Sequence, residues 1–478
     1  MDSHSKDIYC FDSTTALEEA KKRKRVGTSN PHVDGLQICY YDGELIPHAP
    51  ENCINVPIGN FYEYFLTTKN RLPEQIHFGN KEYSSEVKNE LVSVIKQTLQ
   101  SIVKERDALT RVLMNDAKQA EPDFSAPLKV FLIASRETTV MQYISQNIAD
   151  AFKKLGYEVF LSIEENDMQK IDTFLHLVHY VQFKPNIIIN INHLNNSFLH
   201  ENVFNFIWFQ DFMPVLQSNQ PIVLRKRDTV YSLLPDLDLL LKQKQVPFSR
   251  QSFCVNKTIF KPDERIKREK KIIFIGSSYV PRIDPKHQNA NITKEVIDIL
   301  EMGQEFTPEM IQKLAKKHNL EPQYIQNHII AYAVRDVSVL WLHKIHQETG
   351  LPVEIYGWGW EQYDILKPYC KGSIPYNQVA ALYNSAVYTL VPHSMYVLQQ
   401  RTLEAAACGC QPIVYDCRYN DTPPFYEESL EYFRTVDDII RIIEKDSTKD
   451  LASIVDENSY EHLAGRIIST VKEQLKNG

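Results

Sequence analysis

The sequence predicts an α/β protein made of two successive doubly wound halves, preceded by an α+β accessory module. Three observations carry that prediction. From Leu128 onward, short apolar runs alternate with helix-periodic stretches. A second series of the same kind opens at Lys271. The first 125 residues follow neither series and hold one long pattern of 3.6-residue period.

Size and composition agree with this division. At roughly 150 residues per domain, 478 residues make about three folding units. Gly (15) and Pro (24) are scarce beside the roughly 25–30% of low-complexity chains, and 22 Phe and 25 Tyr supply cores. The formal charge of -8 has the wrong sign for a chain whose main work is neutralising phosphate backbones, so no nucleic-acid partner is expected. No apolar run approaches the ~20 residues of a membrane span, and the start MDSHSKDIYC lacks a secretory pattern, which gives a cytoplasmic expectation. Eight cysteines without C-x-x-C spacing, among them the group Cys408, Cys410 and Cys417, read as small core residues and not as metal ligands.

Residues 1–125 contain short β-like pieces (Leu36 to Tyr41, Cys53 to Val56) and a long helix whose stripe is Val87, Leu91, Val94, Ile95, Leu99, Ile102, Val103, Leu109 and Leu113. The run Lys21 to Arg25 (KKRKR) reads as a solvated helix face, and Ala117 to Pro127 as a linker. Residues 126–262 form the next unit: strands at 128–134, 157–163, 186–192, 203–209 and 229–234, with helical stretches at 140–155 and 168–183. Residues 263–478 repeat the alternation, with strands at 271–278, 352–359, 387–392 and 410–416 and a closing amphipathic helix at 460–475. Two such halves predict a cleft facing the carboxyl ends of both sheets.

The chemistry concentrates in Tyr388 to Asp416, YTLVPHSMYVLQQRTLEAAACGCQPIVYD. A strand leads to a loop at His393 and Ser394, then to a helix carrying Gln400, Arg401 and Glu404, with Ala405 to Ala407 small enough for close packing on the sheet. Free amides at such a helix start, Arg401 and a deeper carboxylate suit a nucleotide diphosphate and its ribose. Gly276 and Ser277 end the strand KIIFI as a close-approach turn, and Tyr356 and Trp358 flank Gly357 at another strand end, where they can meet a base.

The motif R-x-x-E-A-A-A-C-G-C-x-P-I-V-Y-D (401–416) resembles the donor-binding region of GT-B glycosyltransferases of the group 1 type, in their spore-coat-protein-like branch. CVNKTIFKP (254–262), FIGSSYVPR (274–282), VEIYGWGW (353–360), KGSIPYNQVAALYNSAVYTL (371–390) and NSYEHLAGRI (458–467) follow in the same order, so the resemblance spans about 128–475. It implies two Rossmann-like domains facing a cleft, the first for an acceptor (protein, glycan or small molecule) and the second for a nucleotide sugar, with no cofactor or metal. It also implies donor contacts from Gly276, Ser277, Arg282, Tyr356, Trp358, His393, Gln400, Arg401 and Glu404.

Two positions depart from the family pattern. Tyr396 stands where the first of two glutamates belongs, and the basic pair after the glycine turn is absent from its usual place, with Arg282 and Lys286 nearest. In the first half, His193 and Asp211 follow strand ends and are the candidate general bases for an acceptor hydroxyl. Asp236-Leu237-Asp238 has the form of a metal-binding D-x-D, but it lies in an apolar helical stretch where such spacing is ordinary. An epimerase of the same fold, or a non-catalytic nucleotide-sugar-binding protein, are the rival functions. The identity of donor and acceptor, the stereochemistry, the oligomeric state and the role of residues 1–125 stay open at this level.

Overall fold

A computed structural model describes residues 8–10, 38–49, 53–73, 75–78, 83–136, 138–166, 168–169, 173–279 and 290–477. Arg282, Lys286 and the run Lys21 to Arg25 lie outside the described residues. The chain divides into two compact units, Met1–Tyr231 and Ser232–Gly478.

The first unit opens with β1 (Ile8–Cys10), β2 (Cys39–Tyr41), β3 (Cys53–Asn55), α1 (Phe61–Thr68), β4 (Gln75–His77) and α2 (Ser85–Gln119). Its four short strands form an all-parallel sheet in the order β3-β2-β1-β4. Ser84 caps α2, its side chain accepting from Val87 N at 3.3 Å. The stripe that α2 buries is narrower than its sequence pattern: Ile95, Ile102, Arg106 and Ala117 are buried, whereas Val87, Val94, Val103 and Leu109 are exposed. Val94 and Val103 sit one position off the Ile95/Ile102 line, about a quarter turn round the helix, and so flank the contact. Buried Arg106 donates to Phe65 O (2.5 Å) and Asn70 O (3.1 Å), meeting carbonyls where α1 ends in left-handed Lys69 (φ 58). The stretch read as a linker begins as the last turn of α2. Beyond it, Phe124 packs on Phe204 at 5.9 Å.

The unit continues with β5 (Lys129–Ile133), α3 (Thr139–Lys154), β6 (Glu158–Ser162), α4 (Thr173–Phe183), β7 (Ile187–Ile191), β8 (Phe204–Phe209) and β9 (Asp228–Ser232). With the two-residue β10 (Ser249–Arg250) the sheet order is β10-β9-β8-β7-β5-β6, and β5 pairs in parallel with both β6 and β7. β7 and β8 are buried along their whole length, as strands covered on both faces must be. The strand order reverses between β5 and β7, so the loops leaving their carboxyl ends open a crevice for ligands.

The second unit carries α5 (Pro235–Gln243), β11 (Glu269–Ile275), α6 (Ala290–Glu301), α7 (Pro308–His318), a π-helical turn (Ile325–Ile330) running into α8 (Ala331–Thr349), and β12 (Val353–Tyr356). After these come α9 (Tyr376–Ser385), β13 (Ala386–Val391), α10 (Gln400–Ala407), β14 (Gln411–Tyr415), β15 (Glu431–Phe433), α11 (Val436–Glu444) and α12 (Tyr460–Asn477). Its five-stranded sheet is parallel throughout, in the order β12-β11-β13-β14-β15, with the reversal between β11 and β13. Cys408, Cys410 and Cys417 are wholly buried in the core around it, which fits their reading as packing residues. Arg268 holds the ends of α9 and α10 by donating to Ala386 O (2.7 Å) and Cys408 O (2.6 Å).

Candidate functional site

The reversal point of the second unit is built on a pair of interlocked loops. Gly276, just past β11, donates to Tyr356 O at 2.7 Å and accepts from Trp360 Nε1 at 2.6 Å. A Cβ on Gly276 would stand 2.5 Å from Arg401 Nη1 and 2.9 Å from Phe274 Cζ. Gly357 has φ 133, and a Cβ there would overlap Gly276 O. Gly357 therefore requires glycine, whereas a Cβ at Gly276 would meet the ends of two side chains. Ser278 N donates to Trp358 O at 2.8 Å, and Ser277 Oγ lies 3.4 Å from Trp358 N. Trp358 itself is 69% exposed, an aromatic face left open beside the turn. The Tyr356 hydroxyl, by contrast, is taken by Glu354 at 2.8 Å.

Two guanidiniums converge on this turn from different helices. Arg401, in the first turn of α10, donates to Ile275 O. Arg335, in the second turn of α8, lies over the Tyr279 ring at 4.3 Å with Nη1 3.4 Å from Ser277 O. Neither forms an ion pair with a carboxylate among the described residues. Burial, and to a smaller extent Arg401, lowers the pKa of Arg335, yet arginine keeps its charge at neutral pH. Across the turn, buried Asp336 accepts from Ser278 Oγ (2.9 Å), Tyr279 N (3.2 Å) and Tyr363 OH (3.3 Å). The turn is thus fixed from beneath while both cations remain available.

His393 leaves β13 on the other side of the reversal. Its Nδ1 accepts from Met395 N at 3.3 Å, which places the proton of the neutral ring on Nε2. Burial, then Arg335 and Arg401, push its pKa down to about 3, so the ring is neutral and a hydrogen-bond donor at physiological pH. The neighbouring Ser394 Oγ is buried without a hydrogen-bond partner. α10 begins at Gln400 without a side-chain cap, which leaves its first amides free at the positive end of the helix dipole. One turn deeper, Glu404 is 5% exposed and accepts from Gln400 Nε2 at 2.9 Å. Burial outweighs Arg401 and Gln400 and raises its pKa to about 7. These groups make a receptor for an anion of more than one charge, with a buried carboxyl behind it for a hydroxyl pair.

Gly276, Ser277, Trp358, His393, Gln400, Arg401 and Glu404 therefore gather at one strand reversal. Arg335 and Asp336 were missed by the sequence reading, which sought a basic pair directly after the glycine turn. In a β-α-β unit the cation rides on the first turns of the helix that follows the strand. Here α6, α7 and the π-helical turn intervene before that helix begins. The detectable signal was the Val334-Arg335-Asp336 start of the amphipathic stretch preceding β12.

Support for the α10 loop reaches back to the D-x-D segment. Asp238 pairs with Arg250 at 2.9 Å, Arg250 with Asp421 at 3.2 Å, and Asp421 accepts from Val397 N at 2.8 Å. Asp238 is thereby a structural carboxylate. Tyr396 packs its ring 4.6 Å from His393 and 6.1 Å from Phe253, so an aromatic wall lines this loop.

In the first unit, Asn192 follows the last residue of β7, and its φ of 65 is left-handed. Its Oδ1 accepts from Gln210 N (2.7 Å) and Asp211 N (3.1 Å), and its Nδ2 donates to Asp211 Oδ2 (2.7 Å). Asp211 is exposed, with no hydrogen bond on Oδ1 among the described residues, and His193 is exposed beside Asn192. Beneath this loop, buried Asn190 and Asn205 and half-buried Asn195 form a chain of carboxamides, with both links 2.8 Å long.

Comparison with known proteins places a family match on the second unit. Residues 335–467 match a family model described as glycosyl transferase-like, beginning on Arg335 and ending within α12. A comparison with curated proteins gives no match. Among solved structures, sucrose-phosphate synthase from Thermosynechococcus elongatus is 11% identical, covering 73% of this chain and 100% of that one with a TM-score of 0.44. Anabaena HepE in complex with UDP is 8% identical, covering 72% and 100% with a TM-score of 0.42. AviGT4, a glycosyltransferase of avilamycin A biosynthesis, is 13% identical, covering 74% and 99% with a TM-score of 0.41.

Proposed function

We propose that the protein is a GT-B glycosyltransferase, of the spore-coat-protein-like branch, that moves a sugar from a nucleotide-diphosphate donor to an acceptor on a protein, glycan or small molecule. The observation that carries this reading is the convergence of Arg335, Arg401, the His393 Nε2–H and the uncapped start of α10 on the glycine turn, with Glu404 one turn deeper. Transfer breaks the bond between the anomeric carbon and the diphosphate oxygen, and that electron pair leaves with the diphosphate. The cations and amides at the turn stabilise this growing charge, the part a metal ion plays in other transferases, and the reaction proceeds without one. Glu404 takes the ribose hydroxyls, and Trp358 offers a face to the base. The acceptor oxygen attacks the anomeric carbon, and its proton passes to Asp211 or His193 of the first unit. The reading goes with a cytoplasmic enzyme.

The test is incubation with UDP-, GDP- and ADP-linked sugars and glycoside or peptide acceptors. Nucleotide release with sugar appearing on the acceptor is the expected result. Sugar isomerisation without transfer would establish the epimerase instead, and nucleotide binding without turnover a non-catalytic binder.

A further inference from the structure

The two candidate bases are not held alike, and the difference names a third residue. Asp211 is bound by one oxygen only, through the Asn192 carboxamide. The same carboxamide accepts the backbone amides of Gln210 and Asp211, while Asn192 N donates to Trp208 O at 3.0 Å. Every polar group of Asn192 that could turn is therefore fixed to the end of β8, and its left-handed backbone is one that asparagine tolerates and branched residues do not. Among the described residues, no hydrogen bond holds the His193 ring.

We propose that Asn192 is a positioning residue of the acceptor side, clamping the Asp211 carboxylate by Oδ2 so that Oδ1 faces the acceptor hydroxyl and receives its proton. The amide donor also distinguishes the two oxygens, since Oδ2 carries the Asn192 N–H while no hydrogen bond reaches Oδ1 among the described residues. This deepens the transferase reading and rests on it: the acceptor O–H bond breaks as its oxygen joins the anomeric carbon, and the proton moves to Asp211 Oδ1.

Two variants separate clamp from scaffold. Asn192→Gly keeps the left-handed backbone and removes the carboxamide. Asn192→Asp keeps both acceptors for the Gln210 and Asp211 amides but sets a carboxylate against Asp211. With the donor and acceptor pair selected from UDP-, GDP- and ADP-sugars and nitrophenyl glycosides, both variants should lose about ten- to a hundred-fold in kcat, part of the roughly 10²–10⁴ that a general base contributes, with donor KM unchanged. In Asn192→Asp the acid limb of the pH–rate profile should also move to higher pH, a change that a loosened loop does not produce. Carboxyl ¹³C NMR of aspartate-labelled protein should show the Asp211 carboxyl resonance displaced in both variants. Unchanged kcat, or an Asp211 resonance that stays put, overturns the proposal. Should Asn192→Gly not fold, Asn192→Asp decides alone. If wild-type protein itself transfers no sugar from any donor, the failure belongs to the transferase reading, and the NMR comparison still tests the clamp.

Discussion

Glu404 is the residue at which folding and binding make opposite demands. Its carboxyl is buried, and that burial pushes its pKa up to about 7, because no cation pairs with it closely enough to offset the desolvation. On the proposed reading, ribose hydroxyls donate charge-assisted hydrogen bonds to that carboxyl, so Glu404→Ala should weaken binding of nucleoside diphosphates by about 1–3 kcal/mol in calorimetry. Unchanged affinity would remove the ribose assignment. The pH consequence has a definite sign. Between about 4.5 and 7 the folded chain holds a proton that the unfolded chain has released, so stability is full below the unfolded pKa and falls as pH rises through the folded one. The loss is about 3 kcal/mol by linkage. Glu404→Gln should therefore gain on the wild type in urea midpoint from pH 5 to pH 8 and match its slope at lower pH. His393 acts in the other direction: with a folded pKa of about 3 against 6.5, its contribution is lost as pH falls through that window.

At the scale of elements, one short helix owes its placement to charges far away in the chain. α10 has eight residues and no cap, and its entry is fixed by Asp421 accepting from Val397 N, with Arg250 bridging Asp421 to Asp238. Both carboxylates are nearly buried, at 9% and 12% side-chain exposure. Arg250→Ala should then cost about 3–5 kcal/mol in stability, because two buried charges lose their counter-ion. Donor affinity should fall with it as Val397 and the start of α10 loosen. A variant that is destabilised but binds nucleoside diphosphates normally would show that the network supports the fold and not the site. None of this network was visible in the sequence, where Asp236-Leu237-Asp238 offered only a metal motif and Arg250 stood alone. The strands were a different matter. Runs such as NIIININ and VFNFIWF are buried on both faces, and a parallel strand that is covered on both sides has no other residues to use. β2 and β3 fall inside the β-like pieces Leu36 to Tyr41 and Cys53 to Val56, whereas β1, β4 and β15 escaped because so short a segment carries no period to detect.

For the whole molecule, the legible part was the doubling of the α/β pattern, and the illegible part was how chemistry is apportioned along it. Arg401 and Glu404 were readable because they share one short helix, so their spacing in sequence is their spacing in space. Arg335 was not, since α6, α7 and the π-helical turn separate it from the glycine turn it approaches. What the fold does assign is membership: Glu404, Arg335, Arg401 and His393 belong to the second unit, and Asp211 and Asn192 to the first. No hydrogen-bond partner is shared between Glu404 and Asp211. Substitutions in independent groups add, usually within about 0.5 kcal/mol. Nucleoside diphosphate affinity should therefore be unaffected by Asp211→Asn, and Glu404→Ala with Asp211→Asn should lose no more of it than Glu404→Ala alone. Transfer should behave otherwise, falling in each single variant, with Asp211→Asn acting on kcat and Glu404→Ala chiefly on donor KM. Calorimetry with UDP, GDP and ADP on the four proteins of this cycle measures the first quantity, and initial rates the second. A coupling above about 1 kcal/mol in nucleotide affinity would mean that Asp211 takes part in holding the donor, and the assignment of Asp211 to the acceptor would have to be abandoned.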